Sequence, residues 1–457
     1  MRRIWAVAVN TVRQALRMKV AIIFMVLLGI LLPAMGAKAS GDGTLKGQLQ
    51  TFVSYGLSLT SLLLCLLTII VSIYTLTSDI SQRQIYTVIT KPIRRFELLL
   101  GKLLGVILLD AGLLVIFSMV IYGIAVYMPV LRGADEAEVY TAANEFLTAR
   151  KALVPQEPDV TKEVEERYAQ LQRMHQLDEV FEGMSRSQII AQLTNQLKLG
   201  KRAAEVGREI IWEFENVKPR DANGTMFVRF KYDVSVTPPD EQVYGRWIVG
   251  DYRLVKYGTP INTPVYPLDH KDPMRKFREI EVPADAVAKD GYLAVGFVNL
   301  PLNNTTVIFP LEDGLEVLYK ADSFTGNFVR AVLLILFRLI FLACLGIFAA
   351  TFLSFPVAIL LCVVVFFTAS FSGFVTESFK YLGENIGLVY SYSIKLVVWL
   401  LPQFDKFNPT KFLVSARLLS WSFLGNVMLS LVFIKAVILL LAGLLIFRFR
   451  EIAKTIV

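Results

Sequence analysis

The chain has 457 residues, 54% of them hydrophobic and only 19% charged, with a mean hydropathy of +0.53. A soluble chain of this length carries about a quarter charged residues. The apolar residues here form runs of membrane-spanning length, which excludes a disordered chain and an ordinary soluble enzyme. The net charge of +8 is uneven: residues 131–327 hold 24 Lys and Arg against 31 Asp and Glu, so this segment is acidic and the rest is strongly basic. No basic stripe interleaved with aromatics occurs in the acidic segment, so the basic excess reads as membrane topology and not as nucleic-acid binding.

Arg2, Arg3, Arg13, Arg17 and Lys19 crowd the N-terminus, while Ile4, Ala8, Val12 and Leu16 recur every four residues. Residues 1–19 are therefore expected to form an amphipathic helix in the membrane interface. A signal peptide with its apolar core at Val20–Pro33 is the alternative. Hydropathy then predicts six transmembrane helices, near 20–37, 52–77, 103–128, 328–351, 355–374 and 427–447. The N-terminus, the 78–102 loop and the tail after residue 447 are short and basic, which puts all three, and so both termini, in the cytoplasm. The 131–327 insert and the 375–426 segment then face outward, the latter as a re-entrant or interfacial stretch despite its lysines.

Within the insert, residues 133–212 are rich in helix formers and are expected to be helical. From Thr225 the pattern alternates, as in Met226–Tyr232, Trp247–Val249, Ile280–Val282 and Tyr292–Phe297. Short alternating runs separated by Pro, Gly, Asn and Asp predict an antiparallel β-sandwich over 213–320. The predicted fold is thus an α-helical integral membrane protein with an inserted α+β extracytoplasmic domain. Asn303-Asn304-Thr305-Thr306 contains a glycosylation sequon and also reads as a turn.

Cys65, Cys344 and Cys362 lie inside apolar runs, and His175 and His270 have no cysteine nearby. No disulfide framework, zinc site or bound cofactor is expected, and no phosphate-binding loop or catalytic constellation is present in the sequence. This reads as a non-catalytic chain. The most informative stretch is Asp79–Lys102: an amphipathic helix leaves the second span, breaks at Pro92, passes a basic turn at Arg94-Arg95, and a second helix begins. Such a knob can dock on a soluble partner, or serve simply as a positive-inside anchor. Charged residues inside spans are functional candidates by default. Here they are Asp110, Arg338 and Lys435, and an Asp110–Arg338 pair would offset the desolvation of each.

The loop's acidic start, Thr87, Lys91-Pro92, Arg94-Arg95 and Leu99-Leu100-Gly101-Lys102 resemble the signature of type-2 ABC exporter permeases, a group that includes gliding-motility and nitrous-oxide-maturation permeases. Ala350–Ala358 is similar to that family's tight hairpin between spans four and five. Leu400–Asn408 is similar to its Leu-Pro-x-Phe segment, and Phe447–Glu451 to its ending. A Gly-Thr common in the signature is replaced by Ile85-Tyr86. The resemblance implies a permease dimer, of two copies or of paralogues, in the cytoplasmic membrane. It also implies a separate cytoplasmic ATPase that binds ATP and Mg, and a coupling loop containing Arg83, Gln84, Thr87, Lys91, Pro92, Arg94, Arg95, Glu97, Gly101 and Lys102. The large insert leaves room for an extracytoplasmic protein partner. A scaffold that moves such partners without passing substrate is the alternative; a sensor would need an output domain that the sequence does not suggest.

Overall fold

The computed structural model describes residues 2–81, 94–174, 181, 184, 186–221, 224–253, 263–311, 313–371 and 402–449. The chain divides into two compact units, one made of Met1–Ala149 with Ser323–Val457 and the other of Arg150–Asp322.

The first unit is helical. In chain order it contains α1 (Arg2–Leu16), α2 (Lys19–Lys38), α3 (Leu45–Ser81), α4 (Arg95–Arg132) and α5 (Glu136–Glu145). After the insert come α8 (Phe324–Ala350), α9 (Phe355–Ser370), α10 (Pro409–Val414) and α11 (Trp421–Phe449), the last with a π-helical stretch at Met428–Ala436. Five of these helices (α2, α3, α4, α8 and α11) are long and apolar enough to cross a membrane. The expected fifth span does not reach that length among the described residues. α9 has 16 residues, about 24 Å of helix against a hydrocarbon layer of about 30 Å. At the other extreme α3 and α4, with 37 and 38 residues, extend well past the expected spans.

α1 shows the amphipathic pattern expected of it, and it packs on α4 with Ala8, Thr11 and Ala15 buried. Gly101 and Gly105 make the close approach possible. A Cβ at Gly101 would lie 2.6 Å from Val7 Cβ, and one at Gly105 would lie 2.7 Å from the Ala8 carbonyl oxygen. Small residues four apart are a common way for helices to meet in a membrane.

The second unit contains two helices, α6 (Thr161–Arg173) and α7 (Arg186–Gly200), and most of the strands. These are β1 (Thr148–Leu153), β2 (Ala203–Ala204), β3 (Glu209–Phe214), β4 (Thr225–Phe230), β5 (Asp233–Val234) and β6 (Gln242–Gly250). β7 (Tyr266–Pro273), β8 (Arg278–Pro283), β9 (Leu293–Asn299), β10 (Val307–Ile308) and β11 (Leu315–Ser323) follow. Two four-stranded sheets, ordered β1-β11-β4-β8 and β3-β9-β6-β7, enclose one aromatic core, and a small β2-β10-β5 sheet closes an end. Phe230 of one sheet meets Trp247 of the other at 4.4 Å between ring centroids. Gly245 leaves room for the Phe297 ring, which a Cβ there would strike at 2.2 Å.

β1 and β2 fall inside the stretch 133–212 read as helical, and β3 overlaps its end. Thr148–Leu153 has no period-2 alternation and depends on its place beside β11, a case of tertiary pairing overriding local propensity. The sequon at Asn303 is a turn. Asn303 is buried, its side-chain amide donates to the Tyr244 carbonyl at 2.7 Å, and Asn304 is left-handed with φ 47°.

Candidate functional site: a polar seam along α3

α3 presents Ser61, Cys65, Thr68, Ser72, Thr75 and Asp79, alternately four and three residues apart, so that they fall on one face of the helix. The first five are buried. Most of the hydroxyls bond to their own helix: Ser72 donates to the Ile69 carbonyl at 3.1 Å and Thr75 to the Ser72 carbonyl at 3.2 Å. α8 reaches this face at Gly346, where an added Cβ would lie 1.9 Å from Ser72 Oγ. At the level of Ser72 the seam is therefore closed by small groups in contact.

Three charged side chains tie into it. Near the C-terminal end of α3, Lys102 of α4 is buried. Its Nζ lies 2.6 Å from Asp79 Oδ2 and donates to the Thr75 carbonyl at 2.6 Å. One cation thus holds both a carboxylate and a helix carbonyl, so the buried Lys102 and the partly buried Asp79 do not stand alone. Midway, Thr68 donates to Asp110 Oδ2 at 2.9 Å, and Asp110 Oδ1 has no hydrogen-bond partner among the described residues.

The third is Arg338, near the middle of α8 and about 20 Å from either end at 1.5 Å per residue. It donates to the Phe404 carbonyl at 3.0 Å, lies 3.4 Å from Ser61 Oγ, and covers the Phe404 ring at 4.8 Å. Phe404 in turn donates its N–H to the Ala369 carbonyl at the end of α9. Irregular backbone at this depth survives in a membrane only when enclosed by protein that satisfies it, and Arg338 with Ala369 does so. From Phe404 the chain climbs back to the N-terminal end of α8, where buried Asn327 accepts from Leu419 N–H and donates to the Arg417 carbonyl, both at 2.8 Å. Asp110 and Arg338 thus have separate partners, and the expected pair between them is not formed. Lys435 is half-buried within the π-helical stretch of α11.

The loop that joins α3 to α4 is anchored at this end of the seam. Arg83, Gln84, Thr87, Lys91 and Pro92 lie outside the described residues. Of the flanking positions, Glu97 accepts the Arg94 N–H at 2.8 Å, the reciprocal half of a capping box, and lies 3.9 Å from Arg3 of α1. Arg95 donates to the Phe447 and Arg448 carbonyls at 2.9 Å each, capping the C-terminal end of α11. Gly101 sits in the α1 contact and Lys102 in the seam. Thr68, Thr75, Gly105 and Asn327 were not singled out from the sequence, and Asp79 and Phe404 entered only as parts of longer motifs; the four-three spacing of small polar residues and the Gly101–Gly105 pair were the available signals.

In the second unit, a groove of about 680 Å³ lies between α6 and α7. Val164 and Ile190 line it, and the Arg186 guanidinium covers the Tyr168 ring at 5.5 Å. At its rim Lys198 holds Glu157 below its ordinary pKa, and the Thr161 hydroxyl and N–H do the same for Asp159, so both remain anionic. Among the described residues no cluster of His, Cys, Asp and Glu is placed to hold a metal. No family model, curated protein or solved structure matches the chain.

Proposed function

We propose that the chain is the membrane-spanning permease subunit of an ATP-driven exporter in the cytoplasmic membrane, working as a dimer with a separate cytoplasmic ATPase. In this reading both termini and the α3–α4 loop are cytoplasmic. The Arg150–Asp322 unit is extracytoplasmic, and its α6–α7 groove is available to a protein partner there. The observation that carries the proposal is the anchoring of the loop. Asp79–Lys102, Glu97 and Arg95 bind its two roots to α1, α3, α4 and α11, so a push on the loop is passed to four helices at once. The ATPase would supply ATP hydrolysis; this chain supplies the lever.

The close approach of Gly346 to Ser72 favours a second reading, in which the same lever moves the extracytoplasmic unit and no substrate crosses. The two readings separate on transport. The chain is coexpressed with a candidate nucleotide-binding subunit and reconstituted in vesicles, and ATP hydrolysis is measured. Arg94→Glu, at an exposed position, should lower stimulated hydrolysis without changing the melting temperature. Unchanged stimulation, or a chain that binds no such subunit, would sink both readings. Stimulated hydrolysis without vectorial transport of any cargo would leave the second.

A further inference from the structure

We propose that β3 is a docking edge for an extended segment of a basic protein, which adds to the β3-β9-β6-β7 sheet as an antiparallel strand. β3 ends that sheet and pairs with β9 on one side. Asn299 N–H donates to the Arg208 carbonyl at 3.0 Å, and Leu300 N–H, on the other side of β9, donates to the Tyr244 carbonyl at 3.4 Å. Antiparallel bonding alternates along a strand. In the observed register Ile210, Trp212 and Phe214 therefore bond to β9, and the N–H and C=O of Glu209, Ile211 and Glu213 point to the open edge. All three residues are exposed, and no other strand among the described residues pairs with β3.

The opposite edge of the same sheet is blunted. By the same alternation β7 turns the backbone of Pro267, Asp269, Lys271 and Pro273 outward, so two of these four positions lack an N–H. β3, Glu209–Phe214, contains no proline. An edge left open is a template for pairing, and strand addition is a recurring way to bind an extended peptide.

The side chains on this edge choose the strand. Glu209, Ile211 and Glu213 share the outer face of the sheet, while Trp212 and Phe214 are buried in the core. Two copies of β3 paired antiparallel about Ile211 would set Glu209 against Glu213 twice, and like charges directly opposite are destabilising. A segment with Lys or Arg two residues to either side of an apolar residue meets the same positions with opposite charges at both ends and an apolar pair between them. Glu209 is in no ion pair among the described residues, and the cation on its row of the sheet, Arg246, is already held by Asp269 at 2.6 Å. Glu213 accepts from Tyr292 Oη at 3.1 Å, which holds its carboxylate in place.

The inference concerns the Arg150–Asp322 unit and rests on neither the exporter reading nor the α6–α7 groove. Its test uses the full chain in detergent with either of two synthetic peptides at millimolar concentration, Thr-Lys-Thr-Val-Thr-Lys-Thr or its counterpart with Glu for Lys. Amide hydrogen exchange is read by mass spectrometry. The Lys peptide should slow exchange over residues 209–214 several-fold and leave residues 266–273 unchanged, and the Glu peptide should slow neither. Glu209→Lys combined with Glu213→Lys should reverse the preference. Ile211→Pro, which removes an outward N–H and leaves the bonds to β9 in place, should abolish the protection. No slowing with the Lys peptide, equal slowing with both peptides, or an unreversed preference in the double variant would overturn the proposal. So would slowing over 209–214 that grows with chain concentration without peptide, which would give the edge to a second copy. If Ile211→Pro fails to elute as the native species, the charge-reversed variant decides.

Discussion

In the helical unit a buried hydroxyl turns back to its own helix, as Ser72 does to Ile69; in the sandwich, buried Asn299 reaches across loops to the Ala204 and Thr305 carbonyls at 2.9 and 2.8 Å. A helix satisfies its own backbone, so its polar side chains can be parked locally and packed against small neighbours. Strand ends and turns leave backbone groups open, and side chains must close them. The sandwich is therefore cross-braced by neutral amides and an aromatic core, with ion pairs such as Arg150–Glu279 and Arg229–Glu316 between neighbouring strands or segments. The helical unit is cross-braced by charged ties such as Asp79–Lys102 and by a few amides, among them Asn327 and Gln50, that reach backbone carbonyls of other segments.

The ties offer the sharpest way to break this contrast. Lys102→Met leaves Asp79 partly buried without its cation and should cost about 3–5 kcal/mol. The double change Asp79→Asn with Lys102→Met should cost clearly less than the sum of the singles, read as detergent melting of the purified chain. Additive losses would show that the pair does not hold the helices. In the sandwich the comparable change is Trp247→Ala, which empties the centre of the aromatic core and should also cost about 3–5 kcal/mol. Residues 150–322 expressed alone should melt cooperatively, and the substitution should lower that transition. A native-like spectrum without a transition would mean that the core does not act as a unit.

A smaller signal separates Asp110 from Arg338. Because they have different partners, Asp110→Asn and Arg338→Gln should combine additively within about 0.5 kcal/mol. A double variant much milder than the sum would restore the direct pair. The smallest effect is expected at Asp272, which burial holds above its ordinary carboxyl pKa, with His270 and Arg278 pulling the other way. The native state keeps this proton at a pH where the unfolded chain has lost it. Stability therefore falls as pH rises from the ordinary carboxyl pKa to the raised one. Asp272→Asn should flatten that slope in pH-dependent melts of the 150–322 unit, and an unchanged slope would assign it elsewhere.

The long apolar helices and the sandwich strands from Thr225 onward were legible in the sequence, because hydropathy and period-2 alternation act over many residues. β1 was not, since Thr148–Leu153 becomes a strand only through a neighbour more than a hundred and fifty residues away. The expected fifth span is matched by α9 only over Phe355–Ser370, and the last residues expected in it, 372–374, lie outside the described residues. At the site, Lys102 and Arg95 looked like surface cations of a basic loop. Burial and the position of α11's last carbonyls decide their roles, and neither is visible in local composition. Asp110 and Arg338 do lie within long apolar helices, but matching two charges by sign ignores hydroxyls and backbone carbonyls, which took both.

The Arg338–Phe404 contact also bears on how the chain is made. Arg338 leaves the ribosome some 66 residues ahead of the carbonyl that satisfies it. At about 5–20 residues per second, roughly 3–13 s pass with a guanidinium in the middle of an apolar helix and no Phe404 to meet it. During that interval α8 has either to wait in a wet, protein-lined setting or to draw water to mid-depth. A stop in synthesis just before residue 404 thus leaves an insertion intermediate with an exposed mid-helix cation, and that intermediate is the natural point for the membrane's quality-control machinery to act.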